Sequence, residues 1–396
     1  MTDDLAFAEA EDARDSSQRA QFLFPEKHPL YFAGHSLGLQ PRRAREYVLE
    51  ELDEWARLGV EGHLEARRPW MNYPDVVNPP LARLVGARAN EVVVMNTLTV
   101  NLHLLMVSFY RPTRERHRIL IEKGAFSSDQ YAVASQARFH GYPDAALHSE
   151  DPVRDLEEHG ESIALALIGQ PNYLTGRVYD VPALVRAARR HGCVLGLDLA
   201  HGAGNLLLRL HDWDVDFAAW CNYKYVNGGP GALGGVFIHE RNLSNTNLPR
   251  FEGWWGHDKK TRFDMSPRFT PIAGAEAWQL SNPPILQLAA LRASLELFDA
   301  AGGMTELRAR GDRLTAFLES QLRALPFVQI VTPPERGSML TVRVQGDARA
   351  LVRKLEAHGA LVDHRPPDII RITPVPLYTS FADVQRLCSL LRELHG

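Results

Sequence analysis

Four short polar stretches carry residue types suited to chemistry, and each follows an apolar run. Asn96-Thr97-Leu98-Thr99-Val100-Asn101 falls between a strand pattern and a helical one. A helix start offers free N–H groups and a partial positive charge, which suits phosphate. The plain alternative is that Thr97 or Thr99 caps the helix. Phe126-Ser127-Ser128-Asp129 offers a ring that could stack on a flat group, and a carboxylate that could meet it or cap a helix. Asp198-Leu199-Ala200-His201 ends the most apolar run, so the Asp198 charge should be buried and in need of a cation. A protonated pyridine nitrogen or an arginine would serve. In Tyr223-Lys224-Tyr225 the lysine stands between aromatics. Such an amine can act as a nucleophile, although most lone lysines extend to the surface.

Taken together, the four describe one site with a phosphate cradle, a stacking ring, a buried carboxylate and a reactive lysine. Pyridoxal 5′-phosphate (PLP) requires that set: a lysine to bind it, an acid for its ring nitrogen and a phosphate anchor. Asp198 precedes Lys224 by 26 residues, which places them at the ends of successive strands. Rival motifs fit less well. The glycine-rich run Gly228 to Gly235 precedes a strand rather than opening a helix, unlike a dinucleotide fingerprint. There is no His-Glu-x-x-His pattern, so no catalytic metal is expected, and no Gly-x-Ser-x-Gly elbow.

The elements that must position these residues alternate. Strand patterns occur at 91–95, 118–122, 162–168, 193–199, 217–221 and 235–238, with helical patterns at 98–109, 128–139 and 181–191. Continuous apolar strands separated by helices predict a mainly parallel sheet covered on both faces. Ligands then bind at the carboxyl ends of the strands. Helical patterns at 286–301 and 304–325 lead into strand patterns at 328–331, 340–344 and 369–372 and helices at 348–358 and 381–394. This is a smaller C-terminal α/β domain. The division expected is 1–60 as an N-terminal segment contributing to the small domain, 61–300 as the large cofactor domain and 301–396 as the small domain. Residues 1–20 are loose or helical.

Composition narrows the class. The chain has 396 residues, 45% hydrophobic and 23% charged, with net charge −4. That is ordinary for a globular protein and gives no footprint for nucleic acid. The acidic start lacks a signal-peptide pattern, and no run of about 18 apolar residues predicts a membrane span. The cytoplasm is the expected location. The three cysteines, Cys193, Cys221 and Cys388, are too widely spaced for a disulfide framework or zinc site.

From about Phe22 onward the chain resembles the kynureninase family. The matching stretches are Tyr31–Leu39, Thr99–Met106, Asp198–Asn205, His211–Phe217, Trp220–Asn227, Gly253–His257, Ser281–Leu286 and Arg371–Tyr378. The resemblance implies the fold type I PLP-dependent transferase fold, with a mainly parallel seven-stranded sheet, and a homodimer whose active site is shared between subunits. It implies hydrolysis of L-kynurenine or 3-hydroxy-L-kynurenine to L-alanine and anthranilate or 3-hydroxyanthranilate, as in tryptophan catabolism or NAD biosynthesis. Lys224 would hold PLP and move the α-proton. Asp198 would pair with the ring nitrogen, His201 would lie beside the cofactor and Phe126 would stack on it. Leu98 and Thr99 would hold phosphate, with Ser127 and Ser128 nearby, and Asp129 would face the ring substituents. Tyr223 would touch phosphate and shuttle a proton. Trp254 and Asn282 would reach in from the other subunit, and Arg371 would grip the substrate α-carboxylate.

Two positions depart from the family pattern: His35 stands where Asn is common, and Ser127 where Pro is common. His35 would belong to the substrate rim. His63 with Ser281 and Asn282 resembles the set that favours 3-hydroxykynurenine, although His63 could simply bridge subunits. A kynureninase-like lyase acting on a ring-modified kynurenine is an alternative. A cysteine desulfurase-like lyase would want a cysteine in a mobile loop, and all three here lie in strand or helix patterns. A non-catalytic binding protein on the same fold would be expected to lose Lys224, Asp198 or Arg371, and all three are present.

Overall fold

The computed structural model describes residues 2–14, 17–245 and 247–395. Its central sheet has seven strands: β1 (Val92–Met95), β2 (Arg118–Glu122), β3 (Ala146–Ser149), β4 (Ile163–Gly169), β5 (Val194–Asp198), β6 (Phe217–Cys221) and β7 (Gly234–Ile238). Their order is β1-β7-β6-β5-β4-β2-β3. The pairings among β2 to β6 are parallel, and β7 runs antiparallel to both of its neighbours. The alternation along β1 shows why the sheet is apolar throughout. Val92 and Val94 join one core cluster, while Val93 and Met95 join another. Successive side chains point to opposite faces of a strand, so both faces are covered.

The helices longer than four residues are α1 (Thr2–Ala13), α2 (Arg42–Leu58), α3 (Pro74–Val85), α4 (Leu98–Phe109), α5 (Ser127–Phe139), α6 (Pro152–His159), α7 (Val181–Arg190), α8 (Ile285–Ala300), α9 (Gly303–Arg323), α10 (Ala348–Ala357) and α11 (Phe381–Leu394). α2 and α3 both pack against α8. Among the described residues, no helix is long and apolar enough to cross a membrane.

The C-terminal part builds an antiparallel sheet from β8 (Val328–Ile330), β9 (Leu340–Val344), β10 (Asp363–Arg365) and β11 (Ile369–Ile372), in the order β8-β9-β11-β10. Its core gathers residues of α9, α10 and α11 with Ala8 of α1 and Phe32. The N-terminal segment also touches the other core, through Tyr31, Ala33, Leu39 and Tyr47. Leu30–Tyr31 pairs with Ala360–Leu361, and Ala33 bridges Thr373 at the end of β11. From there the chain turns inward, and Gly38 donates its N–H to the Tyr223 carbonyl at 2.8 Å. One loop therefore ties the strand that carries Arg371 to the turn that carries Lys224.

Most of the expected elements lie within one or two residues of their predicted bounds. Five of these elements had no strong sequence signal: α2, α3, α6, β3 and β10. The α3 helix continues through Pro79 and Pro80, which the sequence presents as breakers.

Candidate active site

The carboxyl ends of β2, β5 and β6 open on one cavity of about 290 Å³. Its lining includes Thr97, Leu98, Thr99, Glu122, Phe126, Ser128, Asp129, Tyr173, Asp198, His201, Tyr223 and Lys224. All four chemistry-bearing stretches follow strand ends, those of β1, β2, β5 and β6, since each of these strands runs the same way and delivers its following turn to the same edge. At the start of α4, Thr97 occupies the cap position but makes no side-chain cap hydrogen bond. The reading of Thr97 or Thr99 as a simple cap is therefore not what the fold uses. Thr99 Oγ1 instead meets Ser128 Oγ at 2.8 Å, joining the starts of α4 and α5. No side chain caps α5 either, so both helix starts keep N–H groups available to an anion.

Lys224 Nζ lies 5.9 Å from the centre of the Phe126 ring and 5.8 Å from that of Tyr223. Among the described residues it has no ion pair. Phe126 is 41% exposed and packs edge-on against Tyr173, with ring centres 5.2 Å apart. The space before Phe126 is open to a planar group.

The electrostatics are one-sided. Glu122, Asp129 and Asp198 are all buried, and among the described residues none of them forms an ion pair. The bland alternative of an arginine partner for Asp198 is absent. Asp198 Oδ1 accepts from Ala200 N at 2.7 Å, and Glu122 Oε2 from Gly169 N at 3.0 Å. Burial pushes the Glu122 carboxyl up to about 7, helped by the Asp198 charge and opposed by the Gly169 N–H. Burial also raises Asp129 well above the usual carboxylate range, reinforced by the charge of Asp198 and by a hydrogen-bonding contact with it. His201 is held well below its ordinary value by burial, then by the nearby Lys224 charge. A pocket with three buried carboxyls, one lysine and two open helix starts fits a ligand that is cationic at one end and anionic at the other. PLP is such a group, with a protonated ring nitrogen and a phosphate.

Comparison with known proteins bears on the same residues. The family model described as Kynureninase C-terminal domain matches residues 307–391. The kynureninase of Myxococcus xanthus (strain DK1622) is 55% identical, covering 98% of this chain and 97% of its own. The kynureninase of Koribacter versatilis (strain Ellin345) is 52% identical, covering 96% and 95%. The chain belongs to the kynureninase family.

Solved structures extend the fold beyond the family. A mutant of C-DES with glycine covalently linked to its PLP cofactor superposes with TM-score 0.81 at 20% identity, covering 94% of this chain and 98% of that one. A cysteine desulfurase from Thermococcus onnurineus NA1 gives TM-score 0.77 at 17% identity, covering 92% and 94%. The architecture is that of fold type I, as the family resemblance implied. Cys193, Cys221 and Cys388 are all buried, and none lines the cavity.

The other residues suggested by the family resemblance lie outside the cavity lining. Ser127 is exposed beside it. Within one chain, Trp254 lines a separate cleft with Glu252 and Phe269, while Ser281 and Asn282 line another that shares Thr97 with the main cavity. His63 packs edge-on against Trp70, with ring centres 5.3 Å apart, and its Nδ1 is 3.0 Å from the Val60 carbonyl oxygen. Arg371 lies behind Tyr173, donating from Nη1 to the Tyr173 carbonyl at 2.7 Å. His35 is buried, and its ring centre is 6.1 Å from that of His201.

Glu122 and Tyr173 escaped the sequence reading. Glu122 ends its apolar strand as Asp198 ends β5, and the shared pattern of an acid closing an apolar run was a usable signal. Away from the cavity, Glu91, His211 and His239 bring three possible metal-donor atoms within 4.8 Å of one another. Glu91 Oε1 is already engaged there, 2.9 Å from His211 Nδ1.

Proposed function

We propose that this member of the kynureninase family is a PLP-dependent hydrolase. It cleaves L-kynurenine or 3-hydroxy-L-kynurenine to L-alanine and anthranilate or 3-hydroxyanthranilate. The observation that carries the proposal is the convergence of Lys224, Asp198 and the open start of α4 on one cavity, in a chain 55% identical to a kynureninase over nearly its whole length. When bound, PLP supplies an electron sink for the pair left at the substrate Cα.

The residues then divide the work. Lys224 Nζ binds the cofactor and carries the Cα proton. Asp198, buried and without an arginine, holds the ring nitrogen protonated. Asp129, raised by burial and then by the Asp198 charge, faces the ring substituents as a hydrogen-bond donor. Thr99, Ser128 and the first-turn N–H groups of α4, beginning at Leu98, take the phosphate, with Tyr223 beside it. Phe126 stacks on the ring, and His201 stays neutral at its edge. Arg371 takes the substrate α-carboxylate, a task suited to a planar guanidinium.

The proposal includes a homodimer in which Trp254 and Asn282 complete the neighbouring copy's site, since neither reaches the Lys224 cavity of its own chain. His63, Ser281 and Asn282 form the rim that reads the substrate ring. Residues 61–300 serve as the cofactor domain and 301–396 as the small domain, with 1–60 joined to it through Ala8 and Phe32. Free, buried cysteines suit work in the reducing cytoplasm.

The test is kcat/KM for both substrates on PLP-loaded protein. The expected result is turnover of both, with 3-hydroxykynurenine used at least as efficiently. A preference for kynurenine would remove the role given to His63 and Asn282. No turnover of either would overturn the proposal.

A further inference from the structure

Arg371 is 2% exposed, and two of its three edges are occupied. Nε donates to Asp363 Oδ2 at 2.6 Å and Nη1 to the Tyr173 carbonyl at 2.7 Å. Nη2 has no partner among the described residues. The orientation of that last edge depends on where Asp363 sits. Asp363 is drawn two ways, because Arg365 Nε also donates to its Oδ2, at 3.0 Å.

On the other side of the same oxygen stands His35, with Nε2 3.7 Å away. The imidazole is 1% exposed, and its Nδ1 is 2.7 Å from Thr373 Oγ1. Thr373 is fixed in turn, its N–H donating to the Phe32 carbonyl at 3.0 Å. His35 Nε2 has no hydrogen-bond partner of its own, an uncommon state for a buried polar atom. Burial holds the imidazole down to about 4, against the opposing pull of Asp363 and with Arg371 and Lys224 nearby, so it is neutral. A neutral ring has one N–H. The Asp363 carboxylate can only accept, so the tautomer that suits this arrangement carries the N–H on Nε2, facing Asp363, and leaves Nδ1 to accept from the Thr373 hydroxyl.

We propose that His35 is a positioning residue for substrate recognition: its Nε2–H steadies Asp363 against Arg365, and Asp363 thereby aims the open edge of Arg371 at an α-carboxylate. The inference rests on the functional reading of Arg371 given above. It predicts an effect on binding and not on the chemical step, because His35 touches neither the cavity nor Lys224. Glutamine can extend an amide donor to the Nε2 position, whereas asparagine reaches only the Nδ1 position and leucine offers no donor.

The test measures kcat and KM for L-kynurenine, together with the Kd of L-alanine by calorimetry, on PLP-loaded wild type, His35→Leu, His35→Asn and His35→Gln. The expected result is a rise of about tenfold in KM and in alanine Kd for His35→Leu, with kcat little changed and His35→Gln near wild type. If His35→Leu does not fold, the comparison of His35→Asn with His35→Gln decides in the same direction. Unchanged alanine binding in the folded donor-free variants would overturn the proposal, as would equal losses in His35→Asn and His35→Gln. If the wild type does not hydrolyse kynurenine while the alanine Kd still follows this order, the functional reading falls and the positioning role stands.

Discussion

Asp363 and Arg371 stand directly opposite each other on β10 and β11, and the carboxylate is the only anion paired with that buried guanidinium among the described residues. The nearby Arg371 and His35 hold the Asp363 carboxyl below the usual range although burial acts the other way. Removing it leaves Arg371 buried with the Tyr173 carbonyl but without an anionic partner. Loss of one member of a fully buried pair costs about 3–5 kcal/mol, and because Asp363 is only half-buried the cost here should be smaller. Asp363→Ala should therefore lower the midpoint of denaturant unfolding and weaken substrate binding together. A variant as stable as wild type would show that Arg371 is solvated by other means.

Glu122 gives a pH signature. Its folded-state value of about 7 stands above an ordinary value of 4.5, so the folded protein binds this proton more tightly than the unfolded chain. The stability it contributes is present below about pH 4.5 and is lost as pH rises through about 7, on the order of 3 kcal/mol at most. Cofactor-stripped wild type should lose stability relative to Glu122→Gln over that window. Thermal melts from pH 4.5 to 8 would show it. A cation in the pocket opposes the shift, so loading PLP should flatten the difference. Parallel profiles for the two proteins would contradict this assignment.

Gly38 is a contact point for the catalytic turn. A Cβ there would lie 2.3 Å from the Lys224 carbonyl oxygen and 2.3 Å from Asn227 Oδ1. The first is backbone and cannot rotate away. Gly38→Ala should displace the Lys224 turn, cost about 1–3 kcal/mol and speed the loss of PLP on dialysis. Retention of cofactor and activity at wild-type levels would mean that the turn yields without consequence.

The sequence made the sheet legible because its strands are buried on both faces. β6 is apolar along its whole length, and β2 is buried in all but its first residue, so periodicity and position agree. β3 is short, at the sheet edge and only partly buried, and it carries little of that signal. α3 hides because Pro79 and Pro80 lie inside it. The candidate site was readable where an unusual residue marks a strand end, as at Asp198 and Lys224. Glu122 was not singled out although it closes its apolar run as Asp198 does, because that pattern also suits a surface acid until the fold sets Glu122 beside Asp198. The Asp363–Arg371 pairing is set by the register of two short strands, and His35 joins it from the far end of the chain. Nothing local announces either contact.

The central claim is that Lys224 serves a PLP-dependent kynurenine hydrolysis. The most direct test incubates PLP-loaded protein with L-kynurenine, quantifies L-alanine and anthranilate, and repeats the assay with Lys224→Ala. Wild type should give the two products in equal amounts, with a rate lower by about 10²–10⁴-fold in the variant. Absence of products from loaded wild type, or turnover unaffected by the loss of Lys224, would contradict it.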